Sequence, residues 1–193
     1  MLGRIARYMR RKHMPREIRL RVLSYYRFHQ SSMNILENEE VLVGLPRAMR
    51  LQISLMMHKP VFVQLPLFWL CSEEQMLFIV QRLRPCITTP GEMLVKEGCL
   101  GIGLHLLLKG AVETTRQGEL LVVLLAVAAF GEKALQSDEV SDLSIRALRF
   151  CETSILLRDD WVVIEQLNPQ VSQWLDIYSS ERDRRLKDPA VQA

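Results

Sequence analysis

The sequence predicts an α+β chain in which helices precede and follow a set of short antiparallel strands. Three observations carry this reading. Apolar residues recur at helical spacing between prolines up to Pro85, glycines punctuate short apolar runs from Cys86 to about Leu157, and helical spacing returns from Trp161 onward. At 193 residues, with 49% hydrophobic and 24% charged side chains, the chain can bury a core as one large domain or two small ones. Disordered, collagen-like and coiled-coil classes are excluded for the chain as a whole. The longest apolar run, Leu120 to Phe130, has 11 residues, and a spanning helix needs ~20. Cys71, Cys86, Cys99 and Cys151 lie far apart with no CxxC pair and no signal peptide. They read as reduced thiols of a cytosolic setting, not as a disulfide framework or zinc site.

The first helix signal follows Pro15, which suits a first helical position because its missing N–H costs nothing there. Ile18, Val22, Tyr25 and Tyr26 form one stripe on it. Glu37–Val43 reads as one or two helical turns. A second stripe, Met49, Ile53, Met56 and Met57, opens at Pro46 and is expected to close before Pro60. Ser72-Glu-Glu-Gln75 has the form of a capping box, with two acids at the positive end of the helix dipole. Met76, Ile79, Val80 and Leu83 supply its apolar face and Pro85 ends it.

From Cys86 the period shortens. Gly91, Gly98, Gly110, Gly118 and Gly131 separate strands expected at Met93–Lys96, Leu104–Lys109, Ala111–Arg116, Leu120–Ala128, Leu143–Phe150 and Thr153–Leu157. Thr89-Pro-Gly-Glu92 and Gln117-Gly118 are turn signals, since proline presets φ and glycine permits φ > 0. Strands so spaced build a sandwich or small barrel. Trp161, Ile164 and Glu165 then precede Asn168-Pro169, and Val171, Trp174, Leu175 and Tyr178 form a last stripe, continued by the Arg-rich Glu181–Lys187.

Charge is unevenly placed. The net charge is +3, yet residues 1–30 carry nine bases (Arg4, Arg7, Arg10, Arg11, Lys12, Arg16, Arg19, Arg21, Arg27) against Glu17, a net of +8, which leaves −5 for the remainder. Nucleic acid, anionic lipid and an acidic neighbouring subunit all fit such an arm, and so does a solvated helix face.

Phe130-Gly-Glu-Lys-Ala-Leu135 followed by Ser144-Ile-Arg-Ala147 resembles the cyclic nucleotide-binding domain. More narrowly, the chain resembles the C-terminal region of cyclic nucleotide-gated, hyperpolarisation-activated and ether-à-go-go-type channels. His13-Met-Pro-Arg16, Leu23-Ser-Tyr-Tyr26, Glu40-Val-Leu42, Leu45-Pro46, Leu65-Pro-Leu-Phe68, Pro90-Gly-Glu92 and Lys96-Glu-Gly98 fall in the family's order, as do Gly110, Cys151 and Pro169. The resemblance implies a helical C-linker over 1–70 and an antiparallel β-roll (a jelly-roll-like cyclic nucleotide-binding barrel flanked by helices) over 71–188, and the sequence after Asp188 reads as a disordered tail, 189–193. It also implies assembly with neighbouring subunits through the C-linker as a tetramer. The barrel would then report to a membrane pore absent from these residues, so that Met1 begins a cytoplasmic, soluble fragment of a cation channel, of which potassium is the expected ion.

In such a domain the ligand is cAMP or cGMP. By the resemblance, Gly131 lets the backbone approach the phosphate, Ala134 begins the turn whose N–H groups meet it, and Glu132 accepts from the ribose hydroxyl. The family's phosphate-binding Arg–Thr pair lies nine and ten residues after the glutamate, where this sequence has Ser141 and Asp142. A lost guanidinium in a desolvated pair costs about 2–5 kcal/mol, which is about 30-fold to several thousand-fold in affinity. Channels of the ether-à-go-go type share that loss and are not directly nucleotide-regulated. Lys133 is a candidate replacement cation, and Arg182 and Arg185 fall where hyperpolarisation-activated channels carry lid-helix arginines. The simpler reading of these two arginines is the exposed, Arg-rich end of a final helix, favoured there by the dipole. Arg146 reads as structural. Three outcomes stay open: a domain with weak or no nucleotide binding, a genuine cAMP or cGMP sensor, and a DNA-binding regulator of the same superfamily, the last unsupported by any recognition-helix motif.

Other sites are weaker. Gly98-Cys-Leu-Gly-Ile-Gly103 is not GxGxxG and precedes a strand. Walker A, GxSxG and HExxH are absent, the four histidines lack metal spacing, and no nucleophile–base set is visible, so no enzyme is expected. His105 in its apolar strand reads as a satisfied core histidine, and Trp69, Trp161 and Trp174 read as packing, Trp174 with a second reading as a lid residue.

Overall fold

Helices α1 (Leu2–Arg11) and α2 (Arg16–Leu36) pack on each other in a first compact unit, residues 1–45, while residues 46–193 form a second. The computed structural model describes residues 2–36, 44–65, 68–69 and 71–187, so the helical turns expected over Glu37–Val43 and the tail at 189–193 lie outside the described residues. In the first unit Met9 is buried, whereas the expected stripe of α2 is only half-covered by Val22, Tyr25 and Tyr26, with Ile18 exposed. His13, in the left-handed region (φ 52°), makes the connection, closed by the Met14 N–H donating to the Met9 carbonyl at 3.1 Å.

The second unit begins with α3 (Arg47–Gln64). The expected stop before Pro60 is wrong, because the helix runs through it. Proline removes one helical donor, but the turn beyond it buries Val61, Phe62 and Leu65, and full burial of such side chains contributes roughly 1.5–3 kcal/mol each. The methionine stripe is not the buried face: Met49 and Met56 are 52% and 70% exposed. Helix α4 (Glu73–Arg82) starts with the predicted capping box. Ser72 Oγ accepts from the Gln75 N–H at 3.3 Å and Gln75 Oε1 accepts from the Ser72 N–H at 2.9 Å. Ile79 and Val80 are its buried residues, with Met76 and Leu83 half-buried.

Eight strands follow: β1 (Arg84–Thr88), β2 (Met93–Val95), β3 (Gly103–Lys109), β4 (Ala111–Arg116), β5 (Glu119–Leu125), β6 (Ala128–Phe130), β7 (Ser144–Ala147) and β8 (Cys151–Leu157). They form two antiparallel sheets of four strands, ordered β1-β8-β3-β6 and β2-β7-β4-β5. Among the described residues the roll is thus two facing sheets and not a closed barrel. Two expectations are corrected. Strand β1 had no counterpart among the expected strands, because Pro85 was taken only as a helix stop. The single strand expected over Leu120–Ala128 is two strands in different sheets: β5 pairs with β4, and β6 crosses to β3. An 11-residue apolar run cannot show such a crossing, since both halves are apolar. Gln117 and Gly118 make the β4–β5 turn with φ 51° and 85°, the pair of positive values that a two-residue hairpin favours.

The one-turn helix α5 (Lys133–Gln136) follows β6, and α6 (Arg158–Leu167) and α7 (Gln170–Lys187) complete the described residues. One core lies between the sheets around Leu107, Val112, Phe130, Ile145 and Ala147. A larger one covers the outer face of the β3-containing sheet with Phe62, Phe68, Ile79, Trp161, Ile164 and Leu175. Trp69, by contrast, is exposed and donates its indole N–H to the Val63 carbonyl at 2.8 Å; the Trp174 side chain lies outside the described residues. We expect Ser72→Ala to cost about 1 kcal/mol by removing the side-chain half of the capping box, read as a lower urea midpoint at unchanged slope.

Candidate functional site

Strand β6 delivers the chain into Gly131 and then α5, which places Phe130-Gly-Glu-Lys-Ala-Leu135 at one end of the β3-containing sheet. Gly131 sits at φ +83°, and a Cβ there would lie 2.7 Å from the Gly103 carbonyl oxygen, so this position excludes any side chain. Its carbonyl accepts from Ala134 N–H at 3.1 Å, which turns the backbone tightly after the strand. Glu132 is fully buried (0% exposed) immediately before α5. Gly101 lies against the same turn: a Cβ on it would meet the Ala134 Cβ at 2.6 Å.

Across from this turn runs the Ser137–Leu143 loop. Ser141 Oγ donates to the Leu143 carbonyl at 2.9 Å and accepts from the Leu143 N–H at 3.2 Å. Its backbone is tied to the Gly98–Cys99 segment by two further bonds of 2.8 Å. The Ser141 hydroxyl, at the position the resemblance assigns to an arginine, is thus engaged in a local turn. Asp142 beside it accepts from two cations: Arg116 Nη2 stands 2.6 Å from Oδ2 and Lys133 Nζ 3.4 Å from Oδ1. Partial burial alone would raise the Asp142 carboxyl, but the Lys133 and Arg116 charges outweigh it and hold it below its ordinary value. All three side chains are partly exposed, so this pairing is screened by salt and fixes position more than it stabilises the fold.

Of the residues expected at the site, Gly131, Lys133, Ala134, Ser141 and Asp142 line one cavity, together with Val95, Gly103 and Ile145. Its volume is about 30 Å³, room for a water or two. Small-molecule pockets measure roughly 300–1,000 Å³. Arg182 lies on α7 with its side chain outside the described residues, so it is not brought to this cavity by anything described. Arg146, on β7, faces Glu113 at 3.5 Å. The residue that sequence reasoning missed is Arg116, the last of β4. Its signal is only a long-range strand register: β4 pairs with β7 through Thr115↔Ser144, which carries the end of β4 past Asp142.

His105 corrects another expectation. It is buried in β3 and stacks on Phe130 with ring centroids 5.0 Å apart, but among the described residues neither ring nitrogen has a hydrogen-bond partner. Burial drives its pKa down to about 4 from an ordinary 6.5. The unfolded chain then binds a proton that the folded chain refuses between these values, so stability falls as pH drops from 6.5 towards 4. At pH 5 this term amounts to about 2 kcal/mol. We expect His105→Leu to lose that acid sensitivity, measured as urea midpoints at pH 5 and pH 7.5. Equal pH dependence in the two proteins would contradict it. His58 on α3 is the partnered case: Nδ1 meets the Ser54 carbonyl at 2.8 Å and Nε2 the Ser154 hydroxyl at 3.0 Å. No group of three or more metal-binding side chains occurs among the described residues, and no helix among them is long and apolar enough to cross a membrane.

No protein-family model matches the chain. Individual proteins do. The chain is 27% identical over 174 residues to the human voltage-gated inwardly rectifying potassium channel KCNH3, covering 87% of this chain and 16% of that protein. It is 30% identical over 161 residues to potassium channel KOR1 of Oryza sativa subsp. japonica (81% and 18%), and 28% identical over 137 residues to cyclic nucleotide-gated channel beta-3 of Mus musculus (69% and 20%). These relatives bear out the resemblance read from the sequence. The chain spans about a sixth to a fifth of their length.

Proposed function

We propose that this relative of potassium channels and cyclic nucleotide-gated channels is the cytoplasmic regulatory region of a tetrameric, potassium-selective channel. It is non-enzymatic, it couples the state of a cyclic nucleotide-binding-like domain (71–188) to the pore through a helical C-linker (1–70), and it binds cAMP or cGMP weakly or not at all. The channel context is supported by the relatives, all of them channels. The +8 arm within residues 1–30 suits an acidic neighbouring subunit, and no nucleic acid is required to explain it. The single observation that carries the weak-binding reading is the 30 Å³ cavity beside a carboxylate already held by Arg116 and Lys133. A cyclic nucleotide brings an anion and a volume that this arrangement does not offer.

One observation favours the second reading, a true nucleotide sensor. The turn at Gly131 has no room for a side chain and Glu132 is fully buried, which suits a backbone approach to a phosphate and an acceptor for a ribose hydroxyl. Titration calorimetry separates the two. We expect no saturable heat from the 193-residue chain with either nucleotide at millimolar concentration, and micromolar affinity would end the weak-binding reading. Restoring the missing cation with Ser141→Arg is expected to raise affinity; no gain would count against placing the phosphate at this loop.

A further inference from the structure

We infer that Arg116 and Lys133 form a phosphate-binding pair whose site is occupied by the chain's own Asp142 carboxylate, so that Asp142 acts as a tethered anion excluding a ligand's phosphate. This rests on the reading above of the cavity as a reduced cyclic nucleotide pocket. Arg116 is the new element: it comes from the end of β4, a different strand and a different sheet from the β6–α5 turn that carries Lys133. The two cations therefore converge on one point only because the fold brings β4, β7 and α5 together there.

The geometry is that of an anion site with its ligand bound. A guanidinium nitrogen at 2.6 Å and an ammonium nitrogen at 3.4 Å address the two different oxygens of one carboxylate. Guanidinium and ammonium groups hold phosphate through the same charge-assisted donors. Asp142 also lines the cavity with Gly131, Ala134 and Ser141, so its carboxylate competes for the space as well as for the charge. Asp142 is 46% exposed at its side chain, which makes the occupant displaceable and not a structural ion pair sealed in the core.

The chemical class recognised by the vacated pair is a phosphate anion, from the diester of a cyclic nucleotide or from free inorganic phosphate. The test uses the 193-residue chain and its Asp142→Asn form, titrated by calorimetry with cAMP, with inorganic phosphate and with adenosine. Removing the competing charge is expected to raise cAMP affinity about tenfold or more, to leave adenosine unchanged, and to lose that gain when Arg116→Gln is added. A rise for inorganic phosphate as well would place the specificity in the anion alone, and a rise for cAMP only would assign the rest of the nucleotide a share; both support the pair. No rise in Asp142→Asn, or a rise that survives Arg116→Gln, overturns the inference. Wild-type chain binding cAMP at micromolar concentration would overturn the weak-binding reading itself, whereas silence from both proteins overturns only the tethered anion. Should Asp142→Asn not fold, the Asp142 carboxyl resonance in wild type and Arg116→Gln decides: it must titrate at a higher pH without Arg116, and an unchanged midpoint sinks the pairing.

Discussion

Strand β3 is covered on both of its faces, and the position of everything at the site follows from that. Leu104 and Leu106 pack into the helical core with Phe62, Ile79 and Trp161, while Leu107 packs between the sheets with Val112 and Phe130. A strand covered on both sides cannot alternate apolar with polar, which is why Gly103–Lys109 reads as a continuous apolar run with a histidine in it. Because β3 is fixed by its neighbours β8 and β6, the chain leaving β6 must pass the start of β3. The Gly103 carbonyl then stands where a side chain on residue 131 would be. The glycine of the cassette answers to that approach before it answers to any ligand.

The same geometry sets what the site can hold. A turn so close to β3, with Gly101 pressed against Ala134, leaves little volume, and the loop carrying Ser141 and Asp142 closes the rest through its bonds to Gly98 and Cys99. Electrostatics point in the same direction. The arrangement sets two cations on one fixed anion, so on the proposed reading an entering phosphate would have to displace a carboxylate whose effective concentration is set by the backbone.

Helix–strand–helix order, the capping box, the Gln117-Gly118 turn and the cassette were legible because each is a local signal: a spacing, a dipeptide, a cap. The failures share one cause, which is that long-range packing overrode a local rule. Pro60 should stop a helix, but Val61, Phe62 and Leu65 have a core to enter. Leu120–Phe130 is one apolar run in the sequence and two strands in space. Met56 belongs to a helical stripe yet faces outward, because the side of α3 that is covered is chosen by what lies opposite. At the site, Lys133, Ser141 and Asp142 could be placed by counting from Glu132. Arg116 could not, because 26 residues separate it from Asp142 and only the strand register joins them.

On the proposed reading, regulation must come from where the energy is. A ligand shifts a conformational equilibrium only by its difference in affinity between the two states. A cavity of 30 Å³ gives an unrearranged pocket almost nothing to differ by. The extensive contacts lie instead on the outer face of the β3 sheet, where α3, α4, α6 and α7 share one core. His58 marks how tightly that face is specified: its two ring nitrogens join the α3 backbone to the Ser154 hydroxyl of β8, and burial keeps the ring neutral by pushing its pKa down. Movement of α3 against the sheet would break this bridge and uncover Phe62. On that reading, a state imposed through the helices would act on far more buried surface than one imposed through the pocket.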